Sequence, residues 1–220
     1  MLYRFCAAFF SPFNSGYFIF ICTMEDVFLQ TDLKRINKDL WDLLNKAVGS
    51  FRAPFHQAFI ATINGILPEV RTVVLRRVLT EEKQLFFHTD IRSPKVAQIR
   101  EQPEISCLFY DLELRIQLRC YGLSSVHQQD SLAEWGWEHS RLSSRLCYTN
   151  QEPPGSIVEK PELIDLNRKQ VSDDELENAR QHFSVICFRV YRMDWLYLHH
   201  TGHRRAEFDY RSNHFRWKQV

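Results

Sequence analysis

The stretch that decides the fold spans residues 59–89 and reads FIATINGILPEVRTVVLRRVLTEEKQLFFHT. Apolar runs rich in β-branched and aromatic residues alternate here with turn signals, a pattern typical of consecutive β-strands. Three strands are predicted, at Phe59–Ile63, Val70–Leu79 and Leu85–Thr89. The pair Asn64-Gly65 predicts a hairpin turn between the first two, and residues 81–83 predict the next turn. Strands joined by turns this tight pair antiparallel.

A short helix follows, with Ser93 as its N-cap and Pro94 in its first turn, where proline is favoured. Pro103 ends this helix. Hydrophobic periodicity and turn residues predict the remaining elements. They are helices at Asp32–Val48, Gln129–Trp137, Ser140–Cys147 and Asp173–His182, strands at Ile105–Tyr110, Leu114–Val126, Ser184–Tyr191, Trp195–His199 and Phe215–Lys218, and a long loop at Asn150–Val171. This order predicts the α+β class, with a mainly antiparallel barrel or sandwich and peripheral helices.

The chain has 220 residues and a formal net charge of only +1. A nucleic-acid-binding protein would carry a strong basic excess, so none is expected as a partner. One main domain is predicted over residues 24–220, with no membrane contact, after an atypical extension over residues 1–23. This extension is Phe-rich but too interrupted for a membrane-spanning helix. The favoured interpretation is that the start codon is wrongly assigned and that the true start is Met24. A targeting segment and a weak membrane anchor are the alternatives.

The cysteines do not suggest a metal site. None of the six forms a CxxC pair, and His199 and His200 are adjacent, so they point to opposite faces of a strand. No metal is therefore predicted. Reduced thiols in apolar runs favour a cytoplasmic location. No Ser-His-Asp arrangement is evident in the sequence either.

The basic residues Arg71, Arg76 and Lys95 form the candidate binding constellation. Lys95 lies in the first turn of the helix capped by Ser93, where unpaired N–H groups and the helix dipole favour anions. Arg71 and Arg76 are five positions apart, so they point to opposite faces unless the strand bulges or twists. From these residues alone, two interpretations stay open: a phosphate site, or exposed charges that flank a strand.

Four segments occur in register: Arg71-Thr72-Val73-Val74-Leu75-Arg76, then Phe86-Phe87-His88-Thr89-Asp90, then Ser93-Pro94-Lys95, then Gln117-Leu118-Arg119-Cys120-Tyr121-Gly122. Together they resemble the pyridoxamine 5′-phosphate oxidase superfamily, and in particular its branch of oxidase-related FMN-binding proteins. The resemblance extends from about residue 32 to the C-terminus. It implies a split β-barrel that binds FMN as cofactor at the interface of a homodimer.

The resemblance also implies the cofactor-binding residues. Arg71 and Lys95 match the phosphate ligands, residues 72–75 would run along the flavin, and Gln117 would hydrogen-bond the cofactor from a neighbouring strand. The full set is Arg71, Thr72, Val73, Val74, Leu75, Arg76, His88, Thr89, Ser93, Lys95 and Gln117. Two positions depart from the family pattern, because Arg76 replaces a lysine and Pro94 replaces an arginine.

On the substrate side, Arg141 matches an arginine that binds the substrate phosphate. The implied substrate-binding residues are Arg76, Trp137, Arg141, Arg145 and Arg204. Trp137 replaces a tyrosine of the family pattern, and Arg145 replaces a serine. The alternative for Arg141 and Arg145 is that they lie on a solvated helix face, with Glu138 as an ion-pair partner. Ala206 and Phe208 stand where the oxidases carry a histidine and an arginine, which argues against the oxidase reaction. No catalytic residue is assigned.

The sequence therefore predicts an FMN-binding oxidoreductase that acts on a small substrate, and Arg141 favours an anionic one. Three alternatives stay open. The first is a true pyridoxamine or pyridoxine 5′-phosphate oxidase of vitamin B6 salvage. The second is a non-catalytic split barrel that binds flavin or haem, and the third is a split barrel that has lost its cofactor.

Overall fold

The computed structural model describes residues 28–161, 164–166 and 170–220. The predicted N-terminal extension, residues 1–23, lies outside the described residues. The helices are α1 (Leu33–Val48), α2 (Pro94–Glu101), α3 (Ser131–Glu138), α4 (Leu142–Leu146) and α5 (Asp173–His182), with a short 3-10 helix at Pro54–His56. The strands are β1 (Gln57–Asn64), β2 (Leu67–Leu79), β3 (Gln84–Asp90), β4 (Glu104–Asp111), β5 (Ile116–His127), β6 (Phe183–Tyr197), β7 (Arg204–Asp209) and β8 (His214–Lys218).

The strands form one antiparallel sheet in the order β3-β2-β1-β4-β5-β6-β7-β8. A further pairing of β3 with β6 closes β1 to β6 into a barrel, and β7 and β8 extend from β6 outside the closure. The predicted turn at Asn64-Gly65 is confirmed, since Asn64 pairs with Leu67 and Gly65 has a φ of +60°. The predicted split barrel of the α+β class with peripheral helices is therefore confirmed.

Helix α1 is capped by Asp32, whose carboxylate accepts hydrogen bonds from the backbone N–H groups of Lys34 and Arg35. Its apolar stripe is buried in the same core as the inward residues of the barrel strands. Trp41 on this stripe donates from Nε1 to the Tyr210 hydroxyl at 2.9 Å. Helix α1 therefore shares one hydrophobic core with the barrel.

A second, smaller apolar cluster lies outside the barrel, between the outer face of β3 and β6 and the helices α3 and α5. Its buried members are Phe86, Trp137, Ala179, Phe183, Val185 and Cys187. Helix α5 begins with a capping box, in which Ser172 and Glu175 satisfy each other's backbone N–H groups. This cluster fixes α3 and α5 over the outer face of β3 and β6, beside the candidate site.

Two predictions about the C-terminal strands were wrong. The strands predicted at Ser184–Tyr191 and Trp195–His199 are one continuous strand, β6, which absorbs Tyr191 as an extra residue where its pairing with β5 shifts register. The charged residue Asp194, which interrupted the apolar pattern, is buried and ion-paired with Arg119 and Arg205. Strand β7 was not predicted, because the adjacent Arg204 and Arg205 and the buried Glu207 obscure the alternation of apolar side chains.

None of the described helices is long and apolar enough to cross a membrane.

Candidate functional site

A β-bulge in β2 sets the direction of the basic residues. Leu75 pairs with Phe87 and Arg77 pairs with Phe86, so Arg76 is an extra residue on its strand. Arg77 lies against the outer face of β3, with its guanidinium 5.5 Å from the Phe86 ring centroid and 4.1 Å from that of Trp135. Arg76 also faces the helices on this side. The two consecutive arginines thus share the outer face, as a bulge allows.

Arg71 belongs to a different cluster, at the start of β2. Its guanidinium pairs with the Glu69 carboxylate at 2.7 Å and also donates to Gln98 Oε1 at 3.2 Å and to the Thr62 hydroxyl. Hydrogen bonds from Gln98 and Asn64 lower the pKa of Glu69, so this carboxylate stays ionised. The Arg71 side chain is therefore already neutralised within the chain.

Lys95 lies next to this cluster, at the start of α2. Its ammonium donates to the Thr89 hydroxyl at 2.9 Å and to the Ser93 hydroxyl at 2.6 Å. Burial lowers the pKa of Lys95, and the charge of Arg71 lowers it further. Ser93 is the N-cap residue by position, as predicted, but its hydroxyl binds Lys95 rather than the helix backbone. A lysine, two hydroxyls and a helix start therefore meet here, with Arg71 close by.

A cavity of about 350 Å³ lies between β2, β3 and the helices α3 and α4; we call it the Arg76 cavity. Its lining includes Arg76, Arg141, His56, His88, Trp135, His139 and Ser140. Among the described residues that line it, none is acidic. The Nε atom of Arg76 is buried without a hydrogen-bond partner among the described residues. The cavity is therefore cationic, and the Nε of Arg76 in its wall is an unsatisfied donor.

His88 is held neutral in the wall of this cavity. Burial lowers its pKa to about 3, and the charge of Arg76 contributes to the shift. The ring packs edge-on against Phe183, with the centroids 4.8 Å apart. Ser140 donates to the Gly136 carbonyl, so His88 Nδ1, 3.3 Å from the Ser140 oxygen, is assigned as the donor to it.

The structure brings Arg76, His88 and Arg141 together around the cavity, and Thr89, Ser93 and Lys95 together beside Arg71. Residues 72–75 run between the two groups, with Val73 and Leu75 buried in the barrel and Thr72 and Val74 directed outward. Arg71 and Arg76 therefore point to opposite faces of β2, as predicted, in spite of the bulge.

Four other predicted residues lie elsewhere in the chain and stay predictions as ligand contacts. Gln117 lies on the outer face of β5, with β4 and β1 between it and β2. Trp137 is buried in the outer apolar cluster. Arg145 donates to the carbonyls of Trp137 and Glu138, at the end of α3. Arg204 donates to the carbonyls of Leu29 and Gln30.

One wall of the cavity, formed by Trp135 and His139, was not predicted from the sequence. The rings of Trp135 and His139 stack with their centroids 4.2 Å apart, and the Arg77 guanidinium lies 4.1 Å from the Trp135 ring centroid. Trp135 and His139 are four positions apart on α3, a spacing that places two side chains on one helix face. The spacing of Trp135 and His139 could therefore have identified them as neighbours in the site. No sequence pattern identifies His56, since it lies in an irregular segment.

Residues 38–128 match the family model for the FMN-binding domain of pyridoxamine 5′-phosphate oxidase. No curated protein matches the chain at a significant level. Among solved structures, a pyridoxamine 5′-phosphate oxidase-related, FMN-binding protein from Nostoc punctiforme PCC 73102 is similar, with 20% identity, a TM-score of 0.63 and coverage of 83% of this chain and 95% of that one.

Two further structures have the same fold. PhzG from Burkholderia lata 383, in complex with tetrahydrophenazine-1-carboxylic acid, is 14% identical with a TM-score of 0.59, over 87% of this chain and 93% of that one. A protein from Clostridium acetobutylicum related to general stress protein 26 is 12% identical with a TM-score of 0.55, over 84% of this chain and 100% of that one. At these identities the likeness shows the fold alone. The predicted resemblance to the pyridoxamine 5′-phosphate oxidase family of FMN-binding domains is therefore confirmed over residues 38–128, and the fold of the chain is a split barrel.

Proposed function

We propose that the protein is an FMN-dependent oxidoreductase that acts on a small anionic substrate bound in the Arg76 cavity. The observation that carries this proposal is the unpartnered, buried Nε of Arg76 in a cavity whose described lining also includes Arg141 but no carboxylate. A buried donor without a partner is costly, and an anion in the cavity would satisfy it. The volume of about 350 Å³ lies in the usual range of small-molecule sites.

The residues at the start of α2 fit the phosphate of FMN. Lys95 supplies a positive charge, and Thr89 and Ser93 supply hydroxyl groups beside it. Glu69 already pairs with Arg71, so a phosphate would compete with this carboxylate for the guanidinium. Lys95, whose partners are neutral hydroxyls, is therefore the stronger candidate for the first contact. When bound, FMN supplies two-electron redox chemistry through its isoalloxazine ring.

The side chains of the Arg76 cavity would bind and orient the substrate. Arg76 and Arg141 can each make charge-assisted hydrogen bonds to a carboxylate or a phosphate. Fixing the anion in this way would hold the rest of the substrate in one orientation toward the flavin. His88, neutral over the physiological range, would add hydrogen bonding without a further charge.

A homodimer with FMN at its interface is part of the same proposal. The outer face of β1, β2 and β4 exposes Phe59, Val70 and Tyr110, which are 42%, 64% and 39% exposed. Gln117 lies on this face, paired across from Tyr110. Exposed apolar side chains grouped on one sheet face support an interface, and Gln117 of a second copy would then reach the cofactor.

A cytoplasmic location also stays a proposal. It is supported by Cys107, Cys120, Cys147 and Cys187, which are free thiols in the structure. Fractionation of cells that express the full-length chain with a C-terminal tag tests it. Recovery of the protein in a membrane or secreted fraction would contradict this part of the proposal.

The absorbance spectrum of the freshly purified protein tests the cofactor. A flavin band near about 450 nm is expected, and heating should release a compound with the mass of FMN. A Soret band would instead support the haem-binding alternative, and a colourless protein that takes up no FMN would contradict the proposal. Turnover of pyridoxamine 5′-phosphate with release of peroxide would favour the vitamin B6 oxidase.

A double variant tests the phosphate site. Arg71→Ala with Lys95→Ala should lose FMN while the far-ultraviolet circular dichroism stays that of the wild type, since both side chains lie at the barrel end. The matched control is Lys46→Ala with Arg100→Ala, which removes one exposed lysine and one exposed arginine elsewhere. FMN binding of normal affinity in the Arg71/Lys95 variant would rule out the assigned site.

A further inference from the structure

The end of β5 carries a hydrogen-bonded chain of three side chains that the proposed flavin site does not use. Ser125 Oγ lies 2.8 Å from His127 Nε2, and His127 Nδ1 lies 2.8 Å from Asp130 Oδ2. Ser125 and His127 are two positions apart on the strand, so they share a face. Asp130 reaches them from the start of α3. This arrangement is not evident in the sequence, because only the corner between β5 and α3 brings the carboxylate back to the histidine.

Asp130 is fixed in place and ionised. Its Oδ1 atom accepts from the backbone N–H groups of Leu132 at 3.1 Å and Ala133 at 2.9 Å, which leaves Oδ2 for the histidine. Burial alone would raise the pKa of Asp130, but the hydrogen bonds from Ala133 and His127 hold it below its usual value. A carboxylate accepts, so His127 Nδ1 carries the proton and Nε2 accepts from Ser125.

Cys187 completes the surroundings of the hydroxyl. It lies opposite Ser125 in the pairing of β5 with β6. Burial raises the pKa of the Cys187 thiol, whereas the hydrogen bond from the Ser125 hydroxyl lowers it. The hydroxyl therefore has two acceptors within reach, and His127 Nε2 at 2.8 Å is the stronger one, because a thiol sulfur is a weak acceptor. Ser125 itself is exposed, so a reagent in solution can reach its oxygen.

We propose that Ser125 is a nucleophile, activated by His127 and Asp130, that accepts acyl groups from small activated esters. Ser125 Oγ attacks the ester carbonyl and forms a new C–O bond, while the bond to the departing alcohol or phenol oxygen breaks. His127 Nε2 takes the hydroxyl proton and passes it to that oxygen. Water then hydrolyses the acyl-serine in the same way, so the net reaction is ester hydrolysis with no change of oxidation state.

The edge of β5 offers a place for the oxyanion. The Ser124 N–H donates to the Pro103 carbonyl at 2.8 Å, on the side of β5 away from β6. The Val126 N–H points to the same side, because backbone groups two residues apart in a strand do so. Strand β4 pairs with β5 only as far as Leu123, so no described strand lies beside Val126. This N–H is next to the nucleophile and can stabilise developing negative charge.

A fluorophosphonate–biotin reagent, which phosphonylates activated serines, tests the proposal on the full-length protein. Labelling is expected on the peptide that contains Ser125, as mapped by mass spectrometry, and 4-nitrophenyl acetate should be hydrolysed above the rate in buffer. Ser125→Ala should abolish both. His127→Gln, which keeps a hydrogen-bonding side chain, should slow labelling by about 10²-fold, since general-base assistance is lost.

The matched control is Ser212→Ala, which removes an exposed serine hydroxyl between β7 and β8 and should leave labelling unchanged. Circular dichroism of each variant shows whether α3, which Asp130 caps, is still formed. Absence of labelling at Ser125 in a folded wild-type protein would overturn the proposal. So would labelling of Ser125 at an undiminished rate in His127→Gln, because the arrangement would then be only a structural cap of α3.

Discussion

At the scale of single residues, His88 links the site to the stability of the protein. Burial and the charge of Arg76 lower its pKa from the ordinary value of 6.5 to about 3 in the folded chain. Between these values the unfolded chain binds a proton that the folded chain does not. The free energy of unfolding must therefore fall as the pH falls below 6.5. From pH 7 to pH 5 we expect a loss of about 2 kcal/mol from this group.

Urea denaturation of the wild type and of His88→Gln at the two pH values measures this contribution. The variant is less stable at pH 7, because it loses the packing on Phe183, but it should lose less stability on acidification. His214→Gln, which changes an exposed histidine on β8, should keep the wild-type pH dependence. An unchanged pH dependence in His88→Gln would mean that other groups govern the acid response.

At the same scale, the sequence identified residues better than it identified their roles. Arg76, His88 and Arg141 do line one cavity. Arg145 and Arg204 were also candidates for an anion, but both bind backbone carbonyls in the structure. A basic residue in a sequence carries no sign of whether its donors are already used within the chain. That depends on which carbonyl groups the folded backbone leaves open.

At the scale of elements, the strands were predictable and their irregularities were not. The alternation that predicts β2 and β5 is local, whereas a bulge depends on the partner strand. Gly122 shows this dependence, because a Cβ there would lie 2.2 Å from the Arg189 carbonyl oxygen of β6. Gly122 lies where the register between these strands shifts. The glycine therefore permits a close approach of two backbones that the sequence of β5 alone does not indicate.

Gly122→Ala should destabilise the protein by about 2–4 kcal/mol, because the obstructing atom belongs to the backbone and cannot rotate away. Urea denaturation followed by tryptophan fluorescence measures the loss. Gly49→Ala is the control, since a Cβ there meets nothing within 4 Å and its φ of −82° suits alanine. A Gly122→Ala variant as stable as Gly49→Ala would contradict the close approach of β5 to β6.

At the scale of the whole molecule, the closure of the barrel joins elements far apart in sequence. Strand β3 pairs with β6 along residues 84–90 and 183–189, and the two helices over the site lie in the segment between them. Local patterns give the strands on both sides of this gap but not their pairing. The pairing of these strands was predicted from the family resemblance, because the split barrel that it implies has a defined strand topology. The same resemblance is the reason to expect a second copy of the chain.

The proposed dimer would use the outer face of the sheet. Phe59 and Tyr110 are exposed there, on β1 and β4, and Gln117 lies beside Tyr110. Phe59→Asp with Tyr110→Asp would place two carboxylates in the proposed interface, where desolvation of unpaired charges is costly. We expect size-exclusion chromatography with light scattering to give the mass of a dimer of the 26.3 kDa chain for the wild type and of a monomer for this variant.

The variant should also bind FMN more weakly, although Arg71 and Lys95 are unchanged, because Gln117 of the second copy no longer reaches the cofactor. Ile157→Asp is the control, since it places a carboxylate on a fully exposed apolar residue of the long loop, away from this face. A wild type that is monomeric and yet binds FMN would separate the cofactor site from the dimer. A Phe59/Tyr110 variant that stays dimeric would place the interface on another face, since two buried, unpaired carboxylates cannot be accommodated at the centre of a stable one.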